Sequence, residues 1–498
     1  MRLFANIAAA DPVSWLDVLS LWVDKIDNLV WNLPLIASIL SVGVLLSVAL
    51  RFRHLLNLRA AFRNIFRREE DSRGEVSAFG ALCTALSATI GTGNIVGVAT
   101  AIGTGGPGAL FWMEVAAFFG MATKYAEGLL AVKYREITPE GKVLGGPFYY
   151  IEKGLGRKWK ALAAVFAVFG IGVGLLGIGT LTQVNGITSA VERFVDGSVL
   201  SPGAVGKFSV FGVDYSWSVV VSGLLVSVFV ALVVIGGLKR IAAVSSVVVP
   251  FMAVFYVAMC LLVLAVNFDE IPSAISLIVR AAFDPAAVTG GAVGTMFIAV
   301  QKGIARGIFS NEAGLGSAPI AAAAARTNEP VRQGLVCMTG TFIDTIVVCS
   351  MTGLVIVISG AWEPALGFTG ADMTIEAFRR GFAFLGSCGD AFSSFFLMVS
   401  LAFFAFTTIL GWNYYSEKCL EYLIGTNRRI AVGVFRFLYV AMVFAGPYLT
   451  VSAVWGIADI MNGLMAFPNL IALVLLSPVV AKTSREYFGR RSRDREKE

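Results

Sequence analysis

Ala88-Thr89-Ile90-Gly91-Thr92-Gly93-Asn94-Ile95-Val96-Gly97 and, in the second half of the chain, Gly307-Ile308-Phe309-Ser310-Asn311-Glu312-Ala313-Gly314-Leu315-Gly316-Ser317 each interrupt an apolar run with glycines and polar side chains. Inside lipid, a backbone that leaves the helical path exposes N–H and C=O groups that no water can satisfy. Such a break survives only where it is buried in protein or lines a polar cavity. A matched pair of interrupted spans in corresponding halves points to the central site of a secondary transporter.

The surrounding composition supports a membrane setting. Of 498 residues, 57% are hydrophobic and 14% charged, against about 25% charged in soluble proteins. Apolar runs of about 20 residues, the length that crosses a bilayer core, recur from Leu33 to Ala481. The 53 glycines fit close helix approach in lipid. The net charge of +6 reads as topology-setting Lys and Arg rather than a nucleic-acid surface. The six cysteines stand singly in apolar surroundings and His54 is the lone histidine, which argues against a zinc or haem site. No GxSxG elbow, P-loop or HExxH is present, so no enzyme or ATP-driven pump is expected.

Three regions are predicted: an interfacial amphipathic segment over 1–32, a transmembrane domain over 33–482, and a charged cytoplasmic tail over 483–498. Asp11–Trp31 carries Trp15, Leu19, Trp22, Ile26 and Leu29 among Asp17, Asp24 and Asp27, the pattern of a helix lying in the interface. About eleven spans follow: Leu33–Phe52, Val76–Ile102, Gly108–Tyr134, Trp159–Phe194, Ser216–Gly236, Ile241–Val266, Gly291–Ala325, Gln333–Gly360, Ala391–Ile424, Ile430–Tyr448 and Val451–Ala481. An amphipathic stretch at Thr374–Phe384 is expected outside the bilayer. Basic residues crowd alternate loops: Arg51–Arg73, Lys133–Lys160, Lys239–Arg240, Arg326–Arg332, Lys418–Arg429 and Lys482–Lys497. The positive-inside rule then places the N-terminus outside and the C-terminus in the cytoplasm. Without the first span, ten remain, with breaks in the first and sixth. This predicts an all-α integral membrane protein with the inverted five-plus-five repeat of the leucine-transporter fold.

At the first break, Gly91 and Gly93 permit unusual backbone, and Thr92 and Asn94 bring side-chain oxygens. The half-helix after Asn94 should aim free N–H groups and a positive dipole end at a carboxylate. The carbonyls near Ser87 to Ile90 suit a cation, although the glycines alone also fit a packing seam. At the second break, an intramembrane Glu312 is functional by default, whether it meets a substrate ammonium, Arg306 or Lys302. Asp344, beside Thr341 and Thr345, is a candidate second cation site or a structural partner for a nearby Lys or Arg. Gln183, Asn185, Thr407 and Thr408 add polar groups at mid-span depth.

The chain resembles the alanine or glycine:cation symporter family. The resemblance rests on Gly105-Gly106-Pro107-Gly108-Ala109-Leu110-Phe111-Trp112-Met113, on Val115 to Gly120, and on Gly145-Gly146-Pro147-Phe148-Tyr149-Tyr150. Gly307–Pro319, Asp344–Val348, Thr407–Trp412 and Tyr414-Tyr415 extend it. The family commonly has tryptophan where Glu114 stands, and that carboxylate bears on gating or proton dependence. The resemblance implies a sodium-coupled carrier of alanine, glycine or similar small neutral amino acids in a plasma membrane, with no cofactor and Na+ as coupling ion. It implies that Gly91, Thr92, Gly93 and Asn94 hold the substrate's carboxylate end. Gln183, Phe309, Ser310, Asn311 and Trp412 would complete the pocket, Trp412 limiting side-chain size. Sodium would sit between the carbonyls of Ser87 and Ile90 and the hydroxyls of Thr407 and Thr408. A proton-coupled carrier or an exporter of another solute is the rival reading. A channel fits less well, because the polar residues cluster at one depth.

Overall fold

Residues 22–23, 25–26, 29–31, 33–67, 69, 72–196, 206–210, 213–284, 296–425, 428–448 and 451–495 are described by a computed structural model. Besides further helices such as Leu58–Phe66 and Ile271–Phe283, its principal helices are α1 (Leu33–Ala49), α2 (Ala78–Thr89), α3 (Val98–Gly105), α4 (Gly108–Lys133), α5 (Lys160–Leu176), α6 (Leu181–Asp196), α7 (Trp217–Val234) and α8 (Gly237–Val266). Then come α9 (Met296–Asn311), α10 (Ala318–Ala323), α11 (Pro330–Thr341), α12 (Ser350–Ile358), α13 (Gly370–Gly381), α14 (Ser387–Ile424), α15 (Arg429–Ala445) and α16 (Val451–Arg495). Two small hairpins, Glu136–Ile137 with Val143–Leu144 and Lys207–Val210 with Val213–Ser216, decorate the ends. Among the described residues, eight helices are long and apolar enough to cross a bilayer, or nine if the bent pair α2/α3 counts as one span.

The span Gly108–Lys133 is the most buried of the candidate spans, its glycines permitting close packing in lipid. Helix α4 is sandwiched between α11 and α9, and α5 packs against α14 and α16. Large apolar side chains on α7 and α8, such as Phe229 and Val254, face outward, where lipid solvates them at no cost.

Both predicted breaks are present. The first turns through 53° between α2 and α3, with Ile90 in extended conformation (φ −77°, ψ 97°) and a π-helical turn at Gly93–Gly97. The second unwinds after Asn311, where Glu312, Gly314 and Gly316 take φ of 55°, 92° and 79°. Glycine adopts that left-handed region freely and glutamate at a cost.

Some spans are less regular than expected. The fourth span is present as one candidate span over Arg157–Val195, but its helix is interrupted at Gly177–Thr180, where the amides of Gly177 and Gly179 both donate to the Val173 carbonyl. A Cβ on Gly179 would lie 2.7 Å from the Cβ of Trp412, so the parted chain lets α14 come close. The eighth span carries a π-helical stretch at Phe342–Cys349. Helix α16 continues from the final span through the charged tail to Arg495. Most of the predicted interfacial segment lies outside the described residues. Of its described part, Trp22 and Leu29 are exposed, while Val23 is buried and Trp31 donates its indole N–H to the Asp459 carbonyl at 2.6 Å. Helix α13 covers the predicted amphipathic stretch as far as Gly381, and Thr374 donates to the Ile95 carbonyl at 3.2 Å.

Candidate functional site

Each break is capped by its own asparagine. The Asn94 side-chain oxygen accepts from the Gly91 amide at 2.9 Å, and that of Asn311 accepts from the Ala313 amide at 2.9 Å. This satisfies backbone donors that a broken helix would leave orphaned. The two amides just ahead of the half-helix after Asn94 are thus already engaged. Gly91 is held by Asn94, and the Thr92 amide donates to Gln183 Oε1 at 3.2 Å.

The other ends of the two asparagines reach the π-helical stretch. Asn94 Nδ2 donates to Asp344 Oδ1 at 2.8 Å, and Asn311 Nδ2 donates to Thr345 Oγ1 at 3.0 Å. Ser310 and Thr345 both donate hydroxyls to Asp344 Oδ2 at 2.8 Å. Asp344 is wholly buried and joins both breaks. Among the described residues it forms no direct ion pair with a lysine or arginine, and the nearby positive charge is that of Lys124.

Ile90 turns its carbonyl toward α14, where the Thr408 hydroxyl donates to it at 3.2 Å and to the Phe404 carbonyl at 3.0 Å. The approach requires glycine next door, since a Cβ on Gly91 would lie 2.6 Å from Thr408 Oγ1 and 3.0 Å from Gln183 Oε1. Thr407, one residue earlier, is rotated away: its hydroxyl bonds back to Phe403 and Phe404 at 3.1 and 3.0 Å, beside Met252. Ser87 likewise returns its hydroxyl to the Thr84 carbonyl at 2.8 Å.

Glu312 meets neither Arg306 nor Lys302. Its carboxylate accepts the Trp412 indole N–H at 2.9 Å and the Ser317 hydroxyl. Arg306 instead pairs with Asp459 at 2.9 Å, with its guanidinium 5.4 Å from the centroid of the Phe309 ring. Phe309 and Ser310 in turn line Gly93. The structure thus gathers Gly91, Thr92, Gly93, Asn94, Gln183, Phe309, Ser310, Asn311, Asp344 and Thr408 around the breaks, and ties Trp412 to the second. Glu114 stands apart from these bonds, with a buried Oε1 that has no partner among the described residues.

Sequence reasoning passed over three features. Lys124 and Glu127 are buried in α4, and their signal was two charges within an apolar span. The Arg306–Asp459 pair joins segments far apart in sequence, which no local pattern reveals. The third is Arg135, just beyond α4. Its guanidinium donates to the carbonyls of Ala323 at 2.5 Å, Ala325 at 2.6 Å, Arg73 at 2.8 Å and Thr327 at 2.5 Å. Burial lowers it to about 10, so it stays charged at neutral pH. Beside it, Val76 and Ala325 form a parallel bridge, and the Arg326 amide donates to the Val76 carbonyl at 2.7 Å. The basic-side ends of the two broken spans are laced together there.

The profile of the sodium:alanine symporter family matches residues 16–498. The chain belongs to that family. It is 44% identical over 478 residues to the sodium/alanine symporter AgcS of Methanococcus maripaludis, covering 95% of this chain and 98% of that one. It is 50% identical over 470 residues to an uncharacterized transporter of Haemophilus influenzae, covering 94% and 96%. The crystal structure of MhsT in complex with L-phenylalanine superposes with a TM-score of 0.53 at 13% identity, over 83% of this chain and 98% of that one. That likeness shows a shared fold. Family membership makes the chain a sodium-coupled amino-acid symporter, a multi-pass membrane protein.

Proposed function

We propose that this symporter imports alanine, glycine or a comparably small neutral amino acid with Na+, by alternating access around the two breaks. It does so through eleven spans in an inverted five-plus-five arrangement, with the N-terminus outside and the C-terminus cytoplasmic. One observation carries the reading: Asp344, buried between both breaks, is held among the described residues by amide and hydroxyl donors, with no direct ion pair. A buried carboxylate without a directly paired cation is costly and attracts one, and sodium prefers the oxygen ligands gathered here.

A second sodium position lies between the Ser87 and Ile90 carbonyls and Thr408, with Thr407 in reserve if α14 turns. The amides of Gly91 and Thr92 are the anchor for the substrate carboxylate, which displaces Asn94 from Gly91 and Gln183 from Thr92. Phe309, Ser310 and Asn311 form the adjoining wall, and Trp412 closes the space left for the side chain. Phe309 with the Arg306–Asp459 pair shuts the outer side, and the Arg135 lacing shuts the inner side. Sodium binding pulls α14 against the first break and favours the inward-closed state, because a ligand shifts an equilibrium only through differential affinity.

Uptake of labelled alanine into proteoliposomes under an inward sodium gradient tests the reading. Uptake should require sodium, and equal uptake under a potassium gradient rules the reading out.

A further inference from the structure

The sodium and substrate positions leave one buried charged cluster unused. Lys124 is 2% exposed and Glu127 wholly buried on α4, one turn apart and facing the unwound segment after Glu312. Glu127 Oε1 accepts from the Gly316 amide at 3.2 Å and from Asn469 Nδ2 on α16 at 2.7 Å. The same Asn469 amide reaches the Gly314 carbonyl at 2.8 Å, and Tyr150 donates its hydroxyl to Asn469 Oδ1. Glu127 Oε2 is buried and has no partner among the described residues.

The titratable groups around Glu127 are Lys124 on its own helix, Tyr150, Cys337 on α11 and Tyr415 on α14. Lys124 also faces Glu312 and Asp344 and so serves three carboxylates. One ammonium cannot neutralise all three, and the unpartnered oxygen belongs to Glu127. A buried carboxylate oxygen with no donor among the described residues is poorly stabilised when ionised and well suited to carrying a proton.

We propose that Glu127 is a proton-binding site that must be filled before the inner side of the transporter closes. The inference rests on the sidedness and sodium-driven import proposed above. In the closed state the second break packs over Glu127, and the proton occupies Oε2. When the inner side opens, the Gly314–Gly316 backbone leaves, water reaches the carboxyl, and the proton passes to cytoplasmic water. Reclosing takes a proton back from the same side. No net proton crosses the membrane, yet the return step depends on cytoplasmic pH. The protonated form belongs to the closed state, so transport is complete at low internal pH and falls as internal pH rises.

Right-side-out membrane vesicles with the lumen buffered from about pH 6 to about pH 9 and a fixed external pH read this directly. Sodium-driven alanine uptake should fall by up to about tenfold per lumenal pH unit beyond its transition, the limit for a single linked proton. Glu127→Gln, which supplies an N–H where the proton would sit, should give a flat profile. Lys124→Met, which removes the neighbouring positive charge, should move the fall to higher pH. A flat wild-type profile overturns the proposal even if the variants fail to fold. So does a Glu127→Gln profile that matches wild type, or control by external rather than lumenal pH. Wild-type vesicles that show no sodium-driven alanine uptake at any pH would instead defeat the import reading itself.

Discussion

The two breaks solve one backbone problem with different chemistry. Each uses an asparagine whose oxygen caps the break and whose amide reaches Asp344 or its neighbour Thr345. The first break is otherwise neutral and needs glycine for space, since Thr408 and Gln183 crowd Gly91. The second carries Glu312 in a left-handed conformation, tied to Trp412 and Ser317, and needs glycine for its dihedrals. Bare backbone at the first break suits direct contact with ion and substrate. Charge at the second suits coupling to the bundle around it.

The largest expected effect strikes the junction of the two. Asp344→Ala removes the acceptor for Asn94, Ser310 and Thr345 together with the buried charge. It should cut sodium-driven alanine uptake by about 100-fold, equivalent to about 2.7 kcal/mol, measured per amount of protein in the membrane. Near-normal uptake would reduce Asp344 to a packing role. Next, Gly91→Ala and Gly314→Ala should separate the breaks. The first should raise the sodium requirement by tenfold or so, about 1.4 kcal/mol. The second should lower thermal stability by about 1 kcal/mol through its φ with a lesser change in sodium dependence. Similar sodium curves for both variants would erase the distinction.

Smaller effects come from the neighbours. Thr408→Ala should raise half-saturating sodium several-fold, whereas Thr407→Val, on the face toward Met252, should leave it nearly unchanged. The reverse order would show that α14 turns before sodium binds. Trp412→Phe keeps a ring but loses the bond to Glu312, worth about 1 kcal/mol, and should raise the alanine KM by about fivefold. Trp412→Ala should also admit leucine or methionine, and unchanged selectivity would place the size limit elsewhere.

Both breaks are legible in the sequence because two glycine-and-polar interruptions recur in corresponding halves, a pairing that a glycine packing seam alone does not explain. Asp344 is legible because a charge inside an apolar run is costly in lipid. Which of Thr407 and Thr408 faces Ile90 is not, since α14 is apolar around much of its circumference and fixes no rotation. The parting at Gly177–Thr180 hides in a run whose glycines also suit helix packing. The partners of Glu312 and Arg306 lie on α14 and α16, distant in sequence, so the nearer pairing of the two with each other is a natural expectation that tertiary packing overrides.

The most direct test counts labelled sodium and labelled alanine entering the same proteoliposomes under a sodium gradient. Two oxygen clusters, one at Asp344 and one between Ile90 and Thr408, predict two sodium ions per alanine in the wild type. In Thr408→Ala the second ion should be lost at limiting sodium. A wild-type ratio of one, or a ratio that Thr408→Ala leaves unchanged, would contradict the account.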